Sequence, residues 1–283
     1  MILTTSVPAK INLWLEVIRK REDGYHDLSS LMLPISVFDR ISLEVEHGGG
    51  LITLNCDSAE VPSDERNLAW QAADLFLKAL RTEAGIHITL RKNIPSGAGL
   101  GGGSSDAAGV LLALNSCFDN RLSILRLENI ACRLGADVPF FLHTRPALAT
   151  GIGEKLEFVR GIEKYPLLLI KPPIMVPTAW VYQNLKLTRG SPQITLDSLK
   201  RRPWQFEGVT ENDLESVTVS KYPIISDLKS WLRGHGALAS SMSGSGPTVF
   251  GVFASREGAE AAALDAKETW KDCWILAAET VGC

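Results

Sequence analysis

The chain has 283 residues, 45% of them hydrophobic, with 29 Lys and Arg against 32 Asp and Glu and a net charge of -3, a length that exceeds one ordinary core and suits two domains rather than one large one. No basic run suits a nucleic acid backbone or an anionic membrane, no apolar run approaches the ~18 residues of a membrane helix, and "MILTTSVPAKINLWLEV" lacks the pattern of a signal peptide. The five cysteines are widely spaced, without a CxxC or a Cys/His pair of metal-ligand type, which suits a reducing cytoplasm.

From Lys10 to Val17 apolar and polar residues alternate, which predicts a strand with Lys10 and Asn12 on one face. Asp23-Gly24 marks a turn, and "ISLEVEHGGGLITLN" reads as a second hairpin around Gly48 to Gly50. Leu68, Ala72, Leu75, Phe76, Ala79 and Leu80 form the apolar stripe of a helix over 68–80, and "IHITL" is the next strand. A glycine-rich loop leads into a helix carrying Ala107, Val110, Leu111 and Leu114 inward, with Ser104 and Ser105 as good cap residues. Ser123 and Gly135 bracket a further helix, followed by "ADVPFFL". Gly161 lies in a plausible boundary, so we expect domains over 1–160 and 161–283. The second half holds the strand "PLLLI", helices after Thr178 and Pro223, the strand "TVFGVF" and a helix over 255–270. The expected class is α+β.

Five of the seven residues from Gly97 to Gly103 are glycine. In a regular element each would cost about 0.5–1 kcal/mol relative to alanine, so the loop must gain something from bare backbone. Main-chain amides gathered ahead of a helix amino terminus make an anion site. A Walker loop is excluded, because the glycines run into Ser104-Ser105-Asp106 with no Gly-Lys-Ser/Thr. Gly97, Gly99 and Gly102 formally match a dinucleotide fingerprint with Asp119 beyond, although the residues between look helical rather than strand-like.

"PSGAGLGGGSSDAA" resembles the second motif of the GHMP small-molecule kinases, which phosphorylate galactose, homoserine, mevalonate and related alcohols with ATP. "PAKINLWLEV" is similar to their first motif and "SMSGSGPTVFGVF" to their third, so the resemblance spans nearly the whole chain. "DGYH", "GADVPFF" and "RNLAW" further resemble the members that act on a cytidine diphosphate-linked methylerythritol. The resemblance implies a two-domain kinase fold with its active site in the interdomain cleft, using ATP and Mg²⁺.

It also implies roles. Asp137 would be the base and Lys10 its cationic partner, a pairing that keeps a carboxylate ionised and steadies a forming alkoxide. Read alone, Asp137 serves equally well as a cap for the turn at Val138-Pro139, and Lys10 as a solvated strand residue. Pro95, Ser96, Gly97, Ala98, Gly99, Leu100, Gly101, Gly102, Gly103, Ser104 and Ser105 would hold the phosphates. Asn67 and Lys92 match positions near the adenine; by themselves both read as surface residues. Tyr25 and Tyr182 would sandwich the cytosine, His26 would bond its edge, and Asn12 would lie with Lys10 near the sugar alcohol. No histidine has metal-ligand spacing with another, and the metal ligands stay open. A catalytically silent nucleotide-binding protein on the same fold is the rival from another class.

Overall fold

The computed structural model describes residues 1–187 and 210–281. Their contacts group into two compact units, each built from discontinuous segments: Met1–Ala9, Val37–Ser96 and Gly101–Thr144 in the first, and Lys10–Ser36, Gly97–Leu100 and the described residues from Arg145 onward in the second. This grouping differs from a single cut between 160 and 161. The reason is that two long strands, β1 (Ile2–Lys20) and β2 (His26–His47), each supply residues to both units. The Asp23-Gly24 turn joins them, with the Arg21 N–H donating to the Tyr25 carbonyl and Gly24 at φ 87°.

In the first unit, β3 (Gly49–Cys56) and β4 (Ala84–Arg91) run parallel, and β4 pairs antiparallel with the Arg40–His47 stretch of β2. The hairpin expected at Gly48 to Gly50 therefore does not form. β4 takes the place beside β2, and a parallel partner for β3 requires a crossover, which α1 (Leu68–Leu80) supplies. Gly50 approaches β4 so closely that a Cβ there would fall 2.5 Å from the Gly85 Cα.

Helix α1 has the predicted bounds. Its Ala69, Ala72, Ala73, Phe76 and Leu77 are buried, and Arg81 ends it in the left-handed region at φ 52°. α2 (Gly102–Cys117) is buried nearly all round, with Ala107, Val110, Leu111 and Leu114 fully enclosed. α3 (Ile124–Leu134) buries Leu127, Ile130 and Ala131, and α4 (Val138–His143) adds Phe140. Asp119, the acid of the dinucleotide reading, sits in the turn after α2 at φ 55°, and helices rather than a strand follow it. That rival lacks its second strand.

In the second unit, Leu28–Met32 of β2 pairs with β5 (Ala147–Gly151), which pairs with β6 (Lys155–Phe158). A separate antiparallel sheet has the order β10-β7-β9-β8, from Trp274–Glu279, Pro166–Lys171, Val249–Val252 and Ala239–Met242. Around it lie α5 (Thr178–Asn184), α6 (Glu215–Lys221), α7 (Ile224–Gly234) and α8 (Arg256–Thr269). Leu168, Ile170, Val181, Leu214, Leu228, Leu232, Val249 and Ala263 share one core there. Among the described residues no helix is long and apolar enough to cross a membrane.

Alternation along β1 predicts one wet face. Instead Val7 through Val17 are all buried, the polar side chains of Lys10, Asn12 and Glu16 included. Buried polar groups demand partners, and those of Lys10 and Asn12 define a candidate site.

Candidate functional site

In the second unit, β1 places Lys10 and Asn12 two residues apart on one face, as the pleat requires. Lys10 is 4% exposed and Asn12 is 2% exposed. The Lys10 ammonium donates to Asn12 Oδ1 at 2.5 Å, and Asn12 Nδ2 donates to Ser30 Oγ at 2.8 Å. Ser30 in turn donates to the Trp14 carbonyl, which fixes the orientation of the amide. The Asn12 main-chain N–H donates to Ser243 Oγ at 3.2 Å, and Ser243 Oγ donates to the Gly99 carbonyl at 2.9 Å. A relay of hydrogen bonds thus joins the lysine to the glycine loop.

The loop carbonyls are held by the same unit. Ala98 O accepts from Thr248 N, Gly99 O from Ser243, and Leu100 O from Lys10 N. A trans peptide directs its N–H opposite its carbonyl, so the amides of Gly99, Leu100 and Gly101 face away from these partners. Gly99 is in the left-handed region at φ 77°, and a Cβ there would collide with the Ser243 carbonyl. Glycine is required at that position on both counts. Gly244 packs less tightly: a Cβ on it would lie 3.3 Å from Asn12 Oδ1 and 3.7 Å from Lys10 Nζ. Asn212 fixes this turn by donating to the Met242 and Gly244 carbonyls, both at 2.7 Å.

Also in this unit, the ring that stacks on Tyr182 of α5 is His26, with centroids 5.1 Å apart and planes 29° apart. Tyr25, expected to sandwich the cytosine with Tyr182, is 60% exposed. It lies in the turn before β2, its N–H bound to Asp23 Oδ1, whereas His26 opens the strand and is buried. Burial, helped by the charge of Lys20, pushes the His26 imidazole below its usual range. A neutral ring suits hydrogen bonding to a base edge.

In the first unit, Gly101 is the N-cap of α2, left-handed at φ 72°, and the helix begins at Gly102. Ser104 and Ser105 therefore lie inside the first turn and are not its caps; a glycine able to take positive φ turns the chain earlier than a serine cap would. Ser105 is buried and donates to the Pro8 carbonyl at 2.6 Å, while Ser104 is half-buried. Among the described residues no main-chain acceptor takes the N–H groups of Gly102, Gly103 and Ser104. These are the orphan donors of a helix start, and they suit an anion. Pro95 and Ser96, ahead of the loop, are half-buried, and Gly97 is exposed at φ 59°.

Asn67 and Lys92 are not surface residues. Asn67 is the N-cap of α1, accepting from Ala69 N at 2.9 Å and donating to the Pro62 carbonyl at 2.7 Å. The Lys92 side chain is only 7% exposed, and its ammonium donates to Asp39 and to Asp106. Asp39 also accepts the N–H groups of Asn93 and Ile94. Burial pushes the Asp106 carboxyl up to about 7 against the pull of Lys92, and Asp39 adds to the rise. The two carboxylates hold Lys92 above its ordinary range despite its desolvation.

Asp137 occupies the N-cap position of α4, but its side chain makes no capping hydrogen bond. It is half-buried in the first unit. The capping alternative thus fails, since the carboxylate is not used to close the helix.

Sequence reading gave no role to Ser243, Ser30, Asn212, Asp39 or Asp106. Ser243 lies in "SMSGSGPT", where the motif itself was the signal. Asp39 offers none, because its partners are 53 to 55 positions away.

The chain matches the model of the GHMP kinases N terminal domain over residues 67–145 and that of the GHMP kinases C terminal over 198–272. It is 44% identical over 266 residues to a 4-diphosphocytidyl-2-C-methyl-D-erythritol kinase of Syntrophotalea carbinolica, covering 93% of this chain and 95% of that one. To the protein of the same name from Geobacter metallireducens it is 46% identical, with 92% of each chain covered. A crystal structure of 4-(cytidine 5'-diphospho)-2C-methyl-D-erythritol kinase superposes with a TM-score of 0.82 at 36% identity, over 99% of this chain and 100% of the other. Homoserine kinase from Cytophaga hutchinsonii, 20% identical with a TM-score of 0.76 over 99% of this chain and 95% of that one, shares the fold. By sequence and by its two-domain α+β fold alike, this chain belongs to the GHMP kinases.

Proposed function

We infer that this protein transfers the γ-phosphate of ATP to the 2-hydroxyl of 4-diphosphocytidyl-2-C-methyl-D-erythritol, in the route to isoprenoid precursors that proceeds without mevalonate. The relatives that carry this activity in their names support the substrate. The observation that carries the mechanism is the relay from Lys10 through Asn12 and Ser243 to Gly99, which ties an ammonium to the backbone of the loop.

In this reading Pro95 to Ser105 hold the triphosphate, with the amides of the loop and of the α2 start as donors. Asn67 and Lys92 lie toward the adenine. The cytosine is read by His26 and by the rings of Tyr25 and Tyr182, and Asn12 orients the alcohol. Asp137 accepts the hydroxyl proton as the alcohol oxygen bonds to the γ-phosphorus and the bond to the departing ADP oxygen breaks. Lys10 stabilises the negative charge that develops on the alcohol oxygen.

Mg²⁺ when bound neutralises phosphate charge. Among the described residues no group of three or more His, Cys, Asp or Glu is arranged to hold a metal. Ser104, half-buried in the first turn of α2, would offer the ion a hydroxyl. We keep 1–160 and 161–283 as the family-level modules, the former ATP-binding, and place the enzyme in the cytoplasm.

The test is ATP consumption measured in parallel with the cytidine diphosphate-linked methylerythritol, homoserine, mevalonate and galactose. The first is expected to be preferred; preference for any other overturns the substrate assignment.

A further inference from the structure

Asp39 and Asp106 have no part in the chemistry proposed above, yet their geometry is that of a built device within the first unit. Asp39 is fully buried on β2 and takes three donors: the main-chain N–H groups of Asn93 and Ile94 on one oxygen and the Lys92 ammonium on the other. It therefore anchors the chain as it leaves β4. Asp106, in α2, takes Lys92 on Oδ2 at 2.5 Å, while its Oδ1 is buried without a partner. Two buried carboxylates share one ammonium, and the orphaned oxygen costs stability that the rest of the fold must offset.

What it holds is visible at Gly102. A Cβ there would lie 2.9 Å from Ile94 Cγ2 and 3.4 Å from Lys92 Nζ. Ile94, which enters the glycine stretch, thus touches Gly102, which leaves it. The seven residues from Pro95 to Gly101 form a loop whose two ends are fastened by charge. Fastening the ends removes freedom that the first-turn amides of α2 would otherwise lose on binding.

We propose that Asp39 and Asp106 are positioning residues for the nucleotide: with Lys92 between them they staple the glycine loop shut and hold the amides of Gly102 to Ser104 toward an anion. This rests on the kinase reading only for the identity of that anion, a nucleoside triphosphate.

The experiment titrates the whole chain with MgATP, and separately with CDP, in the absence of any acceptor alcohol. Asp106→Ala leaves Lys92 held by Asp39 alone, and MgATP binding is expected to weaken roughly tenfold, equivalent to about 1.4 kcal/mol, with CDP binding unchanged. Asp106→Asn keeps an oxygen for the ammonium and is expected to restore MgATP affinity to within about threefold of wild type. Should Asp106→Ala not fold, Asp106→Leu, which keeps most of the volume but offers the ammonium no acceptor, takes its place with the same expected split between ligands. Unchanged MgATP affinity, or equal weakening for both ligands, overturns the staple. A wild-type chain that binds no MgATP overturns the kinase reading instead.

Discussion

Two buried lysines serve this protein in contrasting ways. Lys10, in the second unit, donates to the amide oxygen of Asn12, within a relay of neutral groups that continues to Ser30, Ser243 and the Gly99 carbonyl. Lys92, in the first, lies between two carboxylates. An amide oxygen fixes where an ammonium points, whereas a pair of buried carboxylates fastens it as a cross-link. The first arrangement suits a side chain that must be aimed, the second one that must hold two segments together.

Substitution at each lysine site sharpens the contrast. Replacing Lys10 with methionine keeps the volume and removes the charge, and turnover is expected to fall by about 10²–10³-fold with little change in melting temperature. Steady-state rates beside a thermal melt check it, and a loss of stability with normal turnover would make Lys10 the structural lysine. Removing Asp39 as Asp39→Ala leaves Lys92 buried with one partner fewer, and the N–H groups of Asn93 and Ile94 without their acceptor. A loss of about 3–5 kcal/mol is expected in denaturant unfolding. A loss below about 1 kcal/mol would mean that Lys92 does not depend on Asp39.

A smaller effect follows from Asp106. Its carboxyl is raised to about 7 in the folded chain from an ordinary value near 3.8. A raised acid contributes stability fully below the unfolded value and loses it as pH climbs through the folded value. Melting temperatures of wild type and Asp106→Asn are therefore expected to diverge between pH 4 and pH 7, in favour of the variant as pH rises. Parallel curves would show that the carboxyl does not titrate in that window. His26 acts in the opposite sense, its lowered value removing stability as pH falls below the ordinary histidine range.

Local pattern made much of this legible. The bounds of α1 followed from its apolar spacing, and the projection of Lys10 with Asn12 from the pleat. What failed was non-local. The Gly48 to Gly50 hairpin was plausible until β4, some 35 residues on, took the position beside β2. The polar face of β1 looked wet because its covering residues, Ser30 and Ser243 among them, are distant in sequence. Lys92 reads as surface for the same reason, with Asp39 the distant partner, whereas the partners of Asn67, Pro62 and Ala69, are local. The helix after the glycines starts two residues before Ser104 because a left-handed Gly101 turns the chain, which cap preferences alone favour less than serine. Motif resemblance reached the loop, Lys10 and Asp137, but not the acids that fasten Lys92.

The central claim is that backbone amides hold the triphosphate while Asp137 takes the proton of the alcohol. Single-turnover phosphoryl transfer by Asp137→Asn, with MgATP affinity measured on the same preparation, tests it most directly. The account predicts affinity within about threefold of wild type and a transfer rate reduced by about 10²–10⁴-fold. A variant that transfers phosphate at the wild-type rate would contradict it.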